Sequence, residues 1–179
     1  MNKKVLIVSS SPRRDGNSDA LCNQFLAGAK AAGHQVEKIF LRDYQIHYCL
    51  GCGVCNTSHI CVQKDDMEAL LNKMVSADVI VLATPVYFYT MNAQLKTFID
   101  RCVPRYTAIS NKDFYFILSA ADTNKKNLAP AIESLRGFTR DCLEGTKEKA
   151  ILYGTGAWKT GEVKNLPVYQ EAYEAGKNC

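Results

Sequence analysis

Four cysteines stand in one short stretch, Cys49, Cys52, Cys55 and Cys61, spaced C-x2-C-x2-C-x5-C. Two consecutive x2 gaps let three thiolates from a tight loop reach three irons of a cubane, and the fourth comes from slightly farther along. Gly51 and Gly53 relax the backbone so that the loop can wrap such a cluster. A tetrahedral zinc site ordinarily uses two separated ligand pairs, so one compact run suits zinc less well, although His47 and His59 keep that option open. Free thiols, or a redox dithiol pair, are further readings of the same residues. The other four cysteines, Cys22, Cys102, Cys142 and Cys179, are scattered. The first three of these lie in or beside helical patterns, where a free cysteine behaves as a small buried apolar group.

Two more stretches carry chemistry of a different kind. The segment Ser9 to Ser18, SSSPRRDGNS, offers hydroxyls, an amide, two guanidiniums and a glycine just ahead of a predicted helix. Backbone N–H groups and the helix dipole attract an anion there, and serine hydroxyls with an arginine suit a phosphate dianion. The loop lacks both G-x-G-x-x-G and G-K-[ST], so neither a dinucleotide pyrophosphate nor a P-loop nucleotide is the expected ligand. In the segment Thr84 to Met91, three aromatics in a row, Tyr87, Phe88 and Tyr89, follow a strand and can form a platform for a flat ring system. Phosphate loop and aromatic loop together suit a flat heterocycle bearing one phosphate, as flavin mononucleotide (FMN) does.

These groups need a scaffold that brings them to one edge. Val5 to Ser9, Gln35 to Leu41, Val79 to Ala83, Phe114 to Ser119 and Ala150 to Tyr153 read as strands. Between them lie helical patterns: Leu21, Phe25, Ala29 and Ala32, capped by Asn17 or Ser18 and stopped by Gly33; Met67 to Val75; Leu95 to Cys102; and Ile132 to Cys142. A last helix is expected within Pro167 to Gly176, and the cysteine loop occupies residues 42–63. Five alternations of strand and helix predict one α/β domain over residues 1–179: a doubly wound five-stranded parallel sheet of the flavodoxin-like order 2-1-3-4-5, with helices on both faces. In such a sheet ligands bind beyond the carboxyl ends of the strands, at the switch between strands 1 and 3. That rule nominates Ser10 to Ser18, Thr84 to Met91 and Ala120 to Asn127, with the cysteine loop at the same end. The first loop has no cysteine, which a low-molecular-weight tyrosine phosphatase would need, and no acidic residues directly follow strand 1, as a response regulator would need.

Composition agrees with this and excludes other classes. The chain has 179 residues, 47% hydrophobic and 22% charged, as in ordinary globular proteins. Its net charge of +4 is dispersed, with no basic run longer than two residues, which argues against nucleic-acid binding. Apolar runs such as Val5 to Val8 are too short to cross a bilayer or to form a signal-peptide core, so a cytoplasmic location is expected.

The segments SSPRRDGNS, ATPVYFYTMNAQLKTFIDR and YGTGAWKTGEV make the chain resemble the NAD(P)H-dependent FMN reductase family of flavodoxin-like proteins over nearly its whole length. The cysteine spacing resembles the iron–sulfur flavoprotein branch, in which the loop after strand 2 ligates a 4Fe–4S cluster that exchanges electrons with FMN. The resemblance implies that Ser9, Ser11, Arg13, Asn17 and Ser18 hold the FMN phosphate. It implies that Pro85, Val86, Tyr87 and Tyr89, with Phe88 beside them, line the isoalloxazine, and that Ser119 to Asp122 lie near the ring's other edge. Cys49, Cys52, Cys55 and Cys61 would be the cluster ligands. The implied function is an oxidoreductase in which NAD(P)H delivers hydride to the flavin, and electrons leave to the cluster, a quinone, a metal ion or another small acceptor. The flavin carries the chemistry, so no catalytic side chain is expected. Arg14 or Lys96 could attract a nicotinamide phosphate, or each could be a solvated surface charge. The rival reading is an electron carrier reduced by ferredoxin without nicotinamide chemistry, and a third is a flavin-binding redox sensor acting through its thiols. Homodimers or homotetramers with flavin sites near an interface are implied as well.

Overall fold

The computed structural model describes residues 2–179. Its central strands are the ones whose sequences are apolar on both faces. β1 (Lys4–Ser9), β3 (Val79–Tyr87) and β5 (Asp113–Ala120) are buried over almost their whole length, as strands covered on two sides must be. β2 (Gln35–Phe40) alternates between polar and apolar residues, and β6 (Lys147–Thr155) is exposed at its start, which suits edge strands. All five pair in parallel in the order β2-β1-β3-β5-β6, the predicted 2-1-3-4-5 arrangement when the long strands alone are numbered.

A sixth strand was not anticipated. β4 (Thr90–Met91) pairs antiparallel with the end of β3, so the aromatic segment is a hairpin rather than an open loop. Pro85 signals a strand end in the sequence, yet β3 runs through it and Pro85 stays in register with Ser119. The other bounds moved little: β6 begins three residues before the predicted strand, at exposed Lys147, where no apolar residue marks it.

Strand alternation divides the core into two layers. Leu6, Val8, Ile80, Leu82, Phe116 and Leu118 face α3 (Met67–Ser76), α4 (Ala93–Asp100) and α5 (Ala129–Thr139), with the short helix α2 (Cys55–Ser58) outside this layer. Val5, Ile7, Val79, Val81, Tyr115 and Ile117 face α1 (Asn17–Ala31) and α6 (Val168–Lys177). Cys22 and Cys102 are fully buried, one in each layer, and burial pushes both thiols up, Cys22 to about 12. Cys142 departs from expectation: α5 stops at Thr139, the thiol is exposed, and Leu143 takes the buried place beyond the helix.

Candidate functional site

All five long strands point the same way, so the segments that follow β1, β3, β5 and β6 converge at one edge. There they enclose a cavity of about 320 Å3, within the ~300–1,000 Å3 usual for small-molecule sites. Ser11, Arg13, Asn17 and Ser18 come from the first loop, Pro85, Val86 and Tyr87 from the end of β3, and Ser119 from the end of β5. With Ala120 and Ala121 beside Ser119, ten of the fourteen residues assigned to the flavin thus line one space.

The first loop is shaped by its own hydrogen bonds. Ser11 Oγ accepts from the Arg13 amide at 3.1 Å and lies 3.0 Å from the Arg13 carbonyl oxygen. Gly16 takes the N-cap position of α1 in extended conformation, which places Asn17 and Ser18 in the first turn instead of at the cap expected for them. First-turn amides have no partner within their own helix and carry the positive end of its dipole. Ser18 Oγ is buried without a hydrogen-bond partner at the wall of this cavity. A buried hydroxyl left unpaired costs about 1–3 kcal/mol, and an anion's oxygen seated on the helix N-terminus would satisfy it. Arg13 lines the same cavity and makes no ion pair among the described residues. The residues present therefore fit the phosphate of FMN.

The other four flavin assignments sit differently. Ser9 is fully buried, and its hydroxyl donates to Asp19 Oδ1 at 3.0 Å. Asp19 also accepts from Lys38 and from the Asp15 amide, so Ser9 and Asp19 brace the loop from beneath. Phe88 and Tyr89 form the hairpin tip, exposed by 100% and 55%. Asp122 accepts from the Asn124 amide and from Asn127 Nδ2, which hold its carboxyl below the usual range. Its backbone oxygen accepts from the Gly156 amide, which ties the loop after β5 to the loop after β6. Asn17, though it lines the cavity, spends its amide group on that same loop. Nδ2 donates to the Ala157 and Lys159 carbonyls, and Oδ1 accepts from Gly161 N.

Sequence reasoning assigned no site residue to residues 156–161, yet Ala157, Trp158 and Thr160 form a wall of the cavity. Trp158 is 76% exposed at its rim. The available signal was a short glycine-bearing segment after a strand at the ligand edge. Asn92 was also missed. Buried after β4, it caps α4 by accepting from Leu95 N, donates to the Ser10 carbonyl at 2.6 Å and accepts near Ser10 Oγ at 2.8 Å. One amide thereby joins the first loop to the aromatic hairpin. Arg14 pairs with Asp43 and stacks on Phe40, and Lys96 pairs with Asp100 one helical turn on, so each is a partnered surface charge.

The cysteine loop leaves β2 at the same edge and then packs along α3 and α4. Gly51, Gly53 and His59 adopt left-handed backbone conformations, with φ of +64°, +73° and +56°, so the chain does wrap through the cysteine run. Cys49 and Cys52 are exposed, and Cys55 and Cys61 half-buried. Burial raises the Cys55 thiol, and Cys61, Cys52 and Cys49 all lie near enough to push it the same way. Two N–H groups already point at sulfur, Gly51 N to Cys49 and Arg101 Nη2 to Cys61, each at 3.4 Å. Among the described residues no three histidine, cysteine or acidic side chains gather into the shell of a single metal ion. The donor chemistry, four thiols on one loop with N–H groups on two of the sulfurs, fits an iron–sulfur cluster. The loop does not touch the cavity at the start of α1: Cys49 lines a space between α4 and α5, and Cys61 one beside α3.

The profile of NADPH-dependent FMN reductases matches residues 3–137, three quarters of the sequence. The chain belongs to that family. An iron–sulfur flavoprotein of Archaeoglobus fulgidus is 40% identical over 101 residues, which cover 56% of this chain and 46% of the relative. The chain spans about half the length of the curated iron–sulfur flavoproteins it matches. Among solved structures, the azoreductase AzrA superposes with a TM-score of 0.78 at 17% identity, covering 98% of this chain and 100% of the other. An FMN-dependent NADH-azoreductase of Bacillus anthracis, solved with FMN, gives 0.76 at 19% identity and 99% coverage of both. These likenesses show the flavodoxin-like fold. No helix among the described residues is long and apolar enough to cross a membrane.

Proposed function

We propose that this chain is an FMN-dependent oxidoreductase that takes electrons from NAD(P)H and passes them, with a 4Fe–4S cluster on Cys49, Cys52, Cys55 and Cys61 as a further station, to a small-molecule or protein acceptor. The observation that carries this is the single cavity in which Ser11, Arg13 and the unpartnered Ser18 hydroxyl meet Pro85, Val86 and Tyr87 at the start of α1. Bound FMN supplies two-electron exchange with a nicotinamide and one-electron exchange with a cluster. The protein's share is binding and orientation. The α1 N-terminus and Arg13 neutralise a phosphate, Ser18 and Ser11 offer hydroxyls to its oxygens, and the end of β3 supports a ring while Tyr87 and Trp158 shape the mouth. Membership of the FMN reductase family, and the names of the curated relatives, support both the flavin and the cluster.

Arg13→Ala should weaken FMN binding roughly 10–150-fold, since a charge-assisted hydrogen bond contributes ~1.5–3 kcal/mol. An unchanged affinity in a fluorescence titration places the phosphate elsewhere. In anaerobic stopped-flow, NADH or NADPH should bleach the flavin.

A second reading has its own observation. Tyr48, Leu50, Val54 and Ile60 are exposed around the cysteines, an apolar rim that suits a protein electron donor such as ferredoxin. Reduction by ferredoxin, with no bleaching by either nicotinamide, would favour that carrier role. The same rim, with the exposed hairpin tip, would be covered in a homodimer or homotetramer.

A further inference from the structure

Arg101 follows the last residue of α4, and its side chain is almost wholly buried. Its guanidinium reaches both ends of the cysteine loop. Nη1 donates to the His47 carbonyl at 2.6 Å, two residues before Cys49, and to Asp65 Oδ2 at 2.7 Å, four residues after Cys61. Nη2 donates to Asp65 Oδ1 at 3.0 Å and to Cys61 Sγ at 3.4 Å. Asp65 is equally buried and in turn accepts from the amides of His47 and Met67. Gln45 and Asp66 add a further pair of bonds across the neck.

A buried ion pair is not by itself a stabilising device, since desolvation offsets much of the attraction. The geometry here buys something else. Asp65 neutralises the guanidinium, so what reaches Cys61 is a directed N–H rather than a net charge. Four of the five guanidinium N–H groups are engaged, and Nε is left buried without a partner. A cavity of about 220 Å3, lined by Cys61, Arg101, His59 and Arg105 among others, leaves room beside the sulfur.

We propose that Arg101 is the positioning residue of the cysteine loop: it closes the loop's neck and, through its N–H on Cys61 Sγ, sets the orientation of that ligand and raises the reduction potential of the centre built on it. Hydrogen bonds to cluster sulfurs favour the more negatively charged reduced state and so raise the potential. Outer-shell partners of ligands typically change metal affinity 10–100-fold. The assignment rests on the reading that the loop holds an iron–sulfur cluster.

The test compares the full chain with Arg101→Met combined with Asp65→Leu, which exchanges the ion pair for apolar groups and leaves no buried charge unpaired. Both proteins are reconstituted with iron and sulfide without oxygen. The double variant should still melt in one cooperative transition, at a somewhat lower temperature because the His47 and Met67 amides lose their acceptor. It should keep its FMN affinity, and surrender iron to a chelator at roughly 10–100-fold lower chelator concentration. Any remaining cluster should be reduced by dithionite at a lower potential than in the parent. A folded variant with the parent's iron retention and potential overturns the assignment, and iron loss with an unmoved potential reduces Arg101 to a structural clamp. If the double variant fails to fold, Arg101→Lys carries the test. Lysine keeps the charge against Asp65 but cannot span three partners, so retention and potential equal to the parent's overturn the assignment. A parent that takes up neither iron nor sulfide sinks the cluster reading itself, a result distinct from any difference between variants.

Discussion

Ser18 shows how a residue can be fitted to a ligand at the expense of the chain alone. Its hydroxyl is buried at the start of α1 without a partner. Ser18→Ala should therefore leave the ligand-free protein as stable as before or slightly more so, because the unmet desolvation is removed. It should also weaken FMN binding roughly tenfold, the equivalent of ~1.4 kcal/mol for a lost hydrogen bond. Urea melts without FMN and a fluorescence titration with it check the two halves separately. Asp65 behaves oppositely, being fully partnered. Burial pushes its carboxyl up, but hydrogen bonds from Arg101, His47 N and Met67 N outweigh this and hold it below the usual range. A depressed folded value means that the unfolded chain binds the proton first as pH falls. The contribution is thus complete above the ordinary carboxylate value of about 3.9 and is lost as pH drops through the lowered one. Urea midpoints should fall through that acid window. Asp65→Asn, which leaves Arg101 buried without its counter-ion, should cost about 3–5 kcal/mol at neutral pH and flatten the acid limb.

Among the elements, the β3–β4 hairpin is the most unusual. Its two-residue turn places Phe88 at φ +48° and Tyr89 at φ +61°. Both central positions are left-handed, a geometry that favours Asn-Gly and costs other residues about 1–2 kcal/mol each. Strain of this kind persists where a site uses it, and this tip follows Tyr87 at the proposed flavin cavity. Replacing Phe88 and Tyr89 by Asn and Gly should stabilise the protein by roughly 1–3 kcal/mol, raising the melting temperature about 2–4 °C per kcal/mol, while FMN affinity falls. Thermal melts with a parallel FMN titration check both. Undiminished affinity would remove Phe88 and Tyr89 from the flavin site. This hairpin also marks where sequence reading reached its limit. β1, β3 and β5 were legible because strands buried on both faces leave unbroken apolar runs. The loops that wall the cavity followed from where parallel strands end, and the individual residues within them from the family resemblance. The turn was not legible: it contains neither glycine nor asparagine, and Pro85 signals a stop where the strand continues. Asn92 escaped because an ordinary N-cap residue gives no sign that it also bridges two loops, and Trp158 because a lone tryptophan in a glycine-bearing loop does not show in sequence whether it turns towards the cavity.

At the scale of the whole molecule, the site's precision depends on α1, whose first turn carries Ser18 and whose length lies against α6. The two helices meet backbone to backbone. A Cβ on Gly28 would fall 1.9 Å from the Tyr173 carbonyl oxygen, and one on Gly176 2.0 Å from the Phe25 carbonyl oxygen. Glycines inside helices ordinarily weaken them; here each is the condition for close approach, which is why the sequence announced α6 only faintly. Gly176→Ala forces one helix to yield. α1 is held to the sheet by fully buried Leu21, Phe25 and Ala29, whereas α6 contributes only Val168, Ala172 and Gly176 as buried residues. α6 should therefore be the one displaced. Overpacking of this kind costs about 3 kcal/mol, which lowers the melting temperature by roughly 6–12 °C in a chain of this size. Because α1 keeps its seat, FMN affinity well below the melting range should match the parent's, and faster amide exchange should be confined to α6. A loss of FMN affinity, with faster exchange in residues 17–31, would instead show that α1 gives way and that the α1–α6 contact helps to set the phosphate site.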